Sequence, residues 1–387
     1  MEFALDDEQS LLVTTIRRWS ERALRGWAAD ADRRGAAPDA LWGAASELGL
    51  LLDAVPSSAG GLLDDGEVAA YSHLARALRG LELGRGCAAL AALVESNVEP
   101  ALAVLRWGSP AARESLFGAI GAVASPGGAP RIAITAHDFY ERLAIEPNGS
   151  ALTVRGRMGP LPGMALASHV LVAARIGDAA RTAEPAAGEP VLALVPVAAG
   201  RVAPCEPAPS GWRAAAWGAL ELDGAAIAPE LVLARGDEAR RAVDEVLSWY
   251  RVGLAARAVG AATAAIEHAG AYGQDRIQFG RPIGRFESLA RMRDENQTAI
   301  AAARLLVLGA AWEIDRGLAS AADSASRARD LAAQVVTRAT IDAVQIFGGY
   351  GFVNDFPVEK LMRDARPFEV LGGNEALARV LAAVADS

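Results

Sequence analysis

Two short segments carry residue types able to hold an anionic cofactor. The first is "QDRIQFGRPIGRFESL", residues 274–289, where Arg276 stands near Phe279 at the end of a helical pattern. A guanidinium beside an aromatic there can hold a pyrophosphate by charge-assisted hydrogen bonds. The second is "QIFGGYGFVNDFPVEKLMRDAR", residues 345–366. Its adjacent glycines, Gly348 and Gly349, let backbone N–H groups approach an anion closely. Gln345 offers both a donor and an acceptor to a polar group. Taken singly, each has a plainer reading. A glycine pair is more often a C-cap and turn, and an arginine a solvated side chain.

The elements that must position these residues fall into three stretches. Residues 3–118 are mostly helical: in "DDEQSLLVTTIRRWSERAL", Leu11, Leu12, Thr15, Ile16 and Trp19 share a face, with Asp6 and Asp7 at the helix start. "ALWGAASELGLLLDAVPSSAGG" reads as a helix broken at Gly49 and a turn at Pro56, Gly60 and Gly61. "GEVAAYSHLARALRGLE" and "ALAALVESNVEPALAVLRWG" add two apolar helices. From about residue 120 to 235 the helical period gives way to the β-type runs "RIAITA", "ALTVRG", "HVLVAARI", "PVLALVPV" and "GALELDGAAI". Three long amphipathic helices follow, with "GNEALARVLAAVA" closing the chain. The expected class is α+β: an N-terminal α-helical domain at 1–118, a β-barrel or sandwich at 119–236, and an antiparallel helical bundle at 237–387.

Composition removes several functions. The chain has 387 residues, 52% hydrophobic and 22% charged, which describes a folded globular protein. A net charge of −9 argues against a nucleic-acid binder. Cys87 and Cys205 form no paired motif, so neither a disulfide framework nor a zinc site is expected. The acidic start "MEFALDDEQSLL" and the interrupted apolar runs lead to the expectation of a soluble cytoplasmic protein.

The order of these elements and the two segments together resemble the acyl-CoA dehydrogenase family over nearly the whole chain. Residues 274–289 resemble its Arg-x-x-Phe-Gly-x-Pro-Ile segment, and residues 345–366 its Gln-x-x-Gly-Gly-x-Gly segment leading to Arg-Asp-Ala. "LGLLLDAVPSSAGG" and "WGALELDGAAIAP" are weaker matches. The resemblance implies FAD as cofactor, held by Arg276, Phe279, Gln345, Gly348 and Gly349, with the Arg/Phe pair reaching the FAD of a neighbouring subunit. It also implies an acyl thioester substrate and a tetrameric assembly.

The chain departs from that family where the chemistry is done. Removing an α-proton while the β-hydride goes to flavin needs a carboxylate base. Counted from Arg363-Asp364-Ala365, the family's Glu position holds Gly372, followed by Gly373 and Asn374, with Arg379 in register. The alternative base position, on the first bundle helix just before Arg251, holds Tyr250, aligned also on Gly260. A phenol near pKa 10 is a poor base at neutral pH. Glu369 and Glu375 lie nearby and read more simply as helix-end acids. "ITAHDFY" and "RGRMGPLPGMALAS" keep only Thr135 and Asp138 of the family's flavin-ring motifs, and His137 reads as a surface histidine or, less simply, a ligand or base.

No catalytic residue is therefore expected in this chain. The leading expectation is a subunit of a heteromeric acyl-CoA dehydrogenase whose Glu-bearing partner supplies the base and the flavin-ring pocket. Such pairs in the family often act on bulky acyl-CoAs such as steroid side chains. The alternatives are a self-sufficient flavoenzyme with other chemistry, such as an oxygenase on the same fold, and a redox-inactive scaffold. Retention of the anion-binding residues speaks against the scaffold.

Overall fold

Asp6 caps the first helix as its sequence suggests: its carboxylate accepts from Gln9 N at 2.8 Å while Gln9 Oε1 accepts from Asp6 N at 3.3 Å. A computed structural model describes residues 4–64, 68–121, 132–135, 143–177 and 188–373. Helix α1 (Asp7–Trp19) runs through one wide π turn into α2 (Arg25–Arg34). Helix α3 (Ala40–Glu47) stops before Gly49, whose φ of 71° ends it. Helix α4 (His73–Val94) begins seven residues later than the apolar pattern at 66 suggests, because Ser72 caps it, and it is broken at Cys87. Helices α5 (Val98–Trp107) and α6 (Pro110–Gly121) complete the first layer.

The middle stretch is two four-stranded sheets. One has strands β1 (Ile132–Thr135), β4 (Ala167–Ile176), β5 (Glu189–Pro196) and β8 (Val232–Arg235) in that order. The other has β2 (Ala144–Asn148), β3 (Ala151–Leu161), β7 (Gly218–Ile227) and β6 (Arg201–Pro204). All pairs are antiparallel except β1 with β4. Alternate residues of both sheets, such as Val170 and Val172 from one and Val154 and Leu220 from the other, enter one core, so the unit is a sandwich.

Helix α7 (Gly236–Asp275) is 40 residues long, about 60 Å. A two-residue hairpin, β9 (Ile277–Gln278) and β10 (Arg281–Pro282), leads to α8 (Glu287–Asp315), α9 (Ala321–Phe347), α10 (Pro357–Asp364) and α11 (Arg366–Val370). Helix α4 meets α7 at backbone contact. A Cβ on Gly260 would lie 2.0 Å from Leu81 O, so only glycine fits there. The closing helix expected at "GNEALARVLAAVA" and the loop "GDAARTAEPAAGEP" lie largely outside the described residues.

Candidate functional site

The end of α7 and the end of α9 build one open depression of about 470 Å3. Tyr272, Arg276, Gln278, Phe347, Gly348 and Gly349 line it. Arg276 caps α7 through its N–H to Tyr272 O at 2.9 Å, and its side chain is exposed. Gly348 ends α9 at φ 59° and ψ −134°, a conformation reserved for glycine. A Cβ on either Gly348 or Gly349 would meet nothing within 4 Å, so the backbone there faces open space. Arg276 and the glycine pair thus come together as expected. Gln345 is exposed on α9 just outside the depression. Phe279 does not line the depression: it is 92% exposed on the hairpin tip.

Sequence reasoning missed the aromatic half of this depression. Tyr350 lies with its ring 5.5 Å from the Arg276 guanidinium carbon. Tyr272, four residues before Arg276, stacks on Phe347 with centroids 4.2 Å apart. Both spacings, one turn of helix and one residue past a glycine pair, were available in the sequence.

The two base positions also meet. A Cβ on Gly372 would lie 3.3 Å from Leu254 Cδ2, 3.5 Å from Tyr250 Cε1 and 3.6 Å from Arg329 Nε. Its described neighbours are buried. Tyr250 is 5% exposed, Arg329 2%, and Leu254, Trp212 and Phe368 1% each. Burial, with a smaller opposing effect from Arg257, pushes the Tyr250 phenol up and keeps it neutral. Arg329 fixes the strand of chain before Gly372 by donating to the carbonyls of Phe368, Glu369 and Leu371 at 2.6–3.1 Å. Arg251 donates to Gly372 O at 3.0 Å. Glu369 is tied to Thr337 and Arg366, each at 2.8 Å. His137, Asp138, Asn374, Glu375 and Arg379 lie outside the described residues. Thr135 is buried on β1, its hydroxyl without a partner among the described residues.

Behind Tyr250 lies a buried ionic network between α4, α5 and α7. Arg79 bridges Asp53 at 2.7 Å and Glu95 at 3.0 Å; Arg257 bridges Glu95 at 2.6 Å; Arg76 bridges Glu99 at 2.7 Å. Three guanidiniums meet three carboxylates, so the set is neutral. Burial works to raise the Glu95 carboxyl, but Arg79 and then Arg257 outweigh it and hold it below the usual range. His73, buried beside Arg76, is pushed down to about 3. Isolated charges inside apolar helical runs, such as Arg257 in "VGLAARAVGAATAA", were the sequence signal for this network.

Comparison with known proteins agrees over two stretches and the whole fold. Residues 6–122 match the family model described as acyl-CoA dehydrogenase, N-terminal domain, and residues 240–385 that described as acyl-CoA dehydrogenase, C-terminal domain. An acyl-CoA dehydrogenase of Bacillus subtilis is 42% identical over 131 residues, 34% of each chain, so that match spans about a third of its length. Cyclohex-1-ene-1-carbonyl-CoA dehydrogenase of Geobacter metallireducens is 26% identical over 97% of both chains. Butyryl-CoA dehydrogenase from Megasphaera elsdenii superposes with a TM-score of 0.82 over 100% of this chain and 99% of that one, at 23% identity. That likeness speaks to the fold.

Proposed function

The chain belongs to the acyl-CoA dehydrogenase family, and on that premise we propose that it is the base-lacking subunit of a heteromeric, FAD-dependent acyl-CoA dehydrogenase. One contrast carries the reading. The described residues around the family's base point are buried, while the Arg276 end of α7 stays open. A channel wide enough for an acyl thioester would leave its walls accessible to water. Tyr250, Leu254, Trp212, Arg329 and Phe368, at 5% or less, offer none. Neither Gly372 nor a neutral Tyr250 supplies a base.

The residues present fit the diphosphate side of FAD. Arg276 projects an exposed guanidinium beside two glycines whose backbone faces open space. When bound, FAD accepts the hydride of acyl oxidation. This chain's part is to bind and orient. Arg276 and the Gly348–Gly349 backbone hold the diphosphate, Gln345 gives a polar contact at the rim, and Phe279 presents an apolar ring across the subunit boundary. The partner supplies the base and the pocket around the flavin ring. Helix α8, with Leu305 51% exposed, and Ile341 of α9, 43% exposed, offer apolar surface for association. Free thiols at Cys87 and Cys205 support a cytoplasmic setting. The matched stretches support a division at 1–118, 119–236 and 237–387.

A visible absorption spectrum tests this directly. The chain purified alone should be colourless. Co-expressed with a Glu-bearing dehydrogenase from its own genome, it should give a yellow complex with about one flavin per pair of chains. Arg276→Ala should weaken flavin retention by the complex about 10-fold or more, the loss of one charge-assisted contact. A yellow lone chain that retains flavin after Arg276→Ala would instead favour a self-sufficient flavoprotein.

A further inference from the structure

We propose that Tyr350 is a positioning and stacking residue of this cradle: its ring holds the Arg276 guanidinium in place and offers its exposed surface to the purine of the dinucleotide. The inference rests on the reading that the cradle takes FAD. Four observations carry it. The ring lies 5.5 Å from the Arg276 guanidinium carbon, within cation–π range. It is 48% exposed although it is a large aromatic, and it lines the depression with Arg276, Gly348 and Gly349. It is buttressed from its edges: Phe356 packs at 5.8 Å and 77°, and Tyr272 at 6.5 Å and 58°. Those two rings are themselves held by Phe347, at 4.2 Å from Tyr272 and 5.2 Å from Phe356.

The arrangement is preassembled. An arginine on a free helix end samples many rotamers, and ordering it on binding opposes affinity. Held over the Tyr350 ring at 5.5 Å, it is already restricted. A half-exposed ring on a rigid aromatic base is also the feature used to stack nucleobases, because every base has a π-face. The guanidinium and the ring then address different parts of one dinucleotide, the anionic diphosphate and the purine.

The test is titration of the flavin-free full chain with FAD, in complex with whichever partner chain it needs, read by flavin fluorescence quenching. Thermal melts run alongside to confirm folding. Tyr350→Phe keeps the ring and should bind within about 2-fold of wild type. Tyr350→Leu should bind roughly 10-fold more weakly. Arg276→Ala/Tyr350→Leu should lose less than the product of the two single losses, since the ring acts partly through Arg276. If Tyr350→Leu does not fold, Tyr350→Gln removes the aromatic face with less change in polarity. Unchanged FAD binding in Tyr350→Leu with weakened binding in Arg276→Ala overturns this inference and leaves the cradle standing. Tyr350→Phe as weak as Tyr350→Leu overturns it too, since the hydroxyl and not the ring would then matter. Unchanged binding in Arg276→Ala overturns the cradle itself.

Discussion

Helix α7 carries opposite kinds of site at its middle and at its C-terminal end. Around Tyr250 and Arg257 the charged groups are buried and paired. Arg76, Arg79 and Arg257 each sit on a carboxylate, and Arg329 is shared between backbone carbonyls and Asp330. Around Arg276, about 39 Å beyond Tyr250 by helical rise, polar groups are exposed and face open space. A paired buried charge is part of the core and costs several kcal/mol to unpair. An exposed guanidinium beside bare glycine backbone adds little to stability and is available to a ligand. The first region has the chemistry of a structure and the second that of a binding site. An active site of the ordinary kind would show the reverse at Tyr250: an accessible pocket and an acid whose environment leaves it reactive.

The comparison breaks most visibly if the ionic network is not structural. Glu95 is fully buried and serves two arginines. Glu95→Ala leaves Arg257 without its buried carboxylate and Arg79 with Asp53 alone, and unfolding in urea should show a loss of about 3–5 kcal/mol, a large part of total domain stability. Arg276→Ala, in the open region, should stay within about 0.5 kcal/mol of wild type. Equal stabilities for the two variants would remove the distinction between the regions.

A second attempt to break it is to put the missing base back. Gly372→Glu places a side chain at φ 80°, against Tyr250, Leu254 and Arg329. Strain and crowding should cost roughly 2–3 kcal/mol. The new carboxylate would also lie beside the Arg329 guanidinium, which favours its charged form and makes it a weak base. We expect the variant chain alone to leave an acyl-CoA unoxidised in an assay with an artificial electron acceptor. Turnover would mean that the region opens after all.

How much of this was readable from residues alone differs between the regions. The long bundle helices, the strands of the sandwich and the Arg276 and glycine-pair segments carry strong local signals: a helical period, a change to short β-branched runs, and motif spacing. Three short strands, β2, β6 and β8, carry little pattern of their own, because their neighbours in the sheets decide their pairing. The identities at 250 and 372 were legible, but their convergence was not, since it depends on how the chain after α11 folds back onto α7 across 122 residues. The ionic network was hinted at by Arg257 in an alanine-rich run. Its partners were not, because Asp53, Glu95 and Glu99 come from other elements.

The closed region should also show in the pH dependence of stability. His73 is stacked on Trp249 at 5.7 Å and its folded value is about 3, against 6.5 when unfolded. Between these values the unfolded chain binds a proton the folded chain refuses. Stability from this group is therefore full above pH 6.5 and falls as pH drops towards 3. By pH 5 about 2 kcal/mol should be lost. His73→Phe keeps a ring in the stack and should flatten that part of the profile in urea unfolding at pH 7 and pH 5. An unchanged slope would mean that His73 is not the group refusing the proton.

The smallest effect sharpens the open region. Phe279 and Gly280 are the two central residues of the hairpin, with φ 52° and 77°. Positive values at both positions are those of a type I′ turn, which favours Asn or Gly first. A phenylalanine there is strained by about 1 kcal/mol and buries almost nothing in return, being 92% exposed. Strain kept at an exposed aromatic is explained if the ring is used outside the chain. Phe279→Asn should therefore have effects of opposite sign. The lone chain should gain about 1 kcal/mol in urea unfolding, while association with the proposed dehydrogenase partner should weaken by roughly 10-fold as a large apolar contact is lost. A variant that gains stability and pairs as tightly as wild type would place Phe279 outside the interface. The hairpin would then be no more than a connection between α7 and α8.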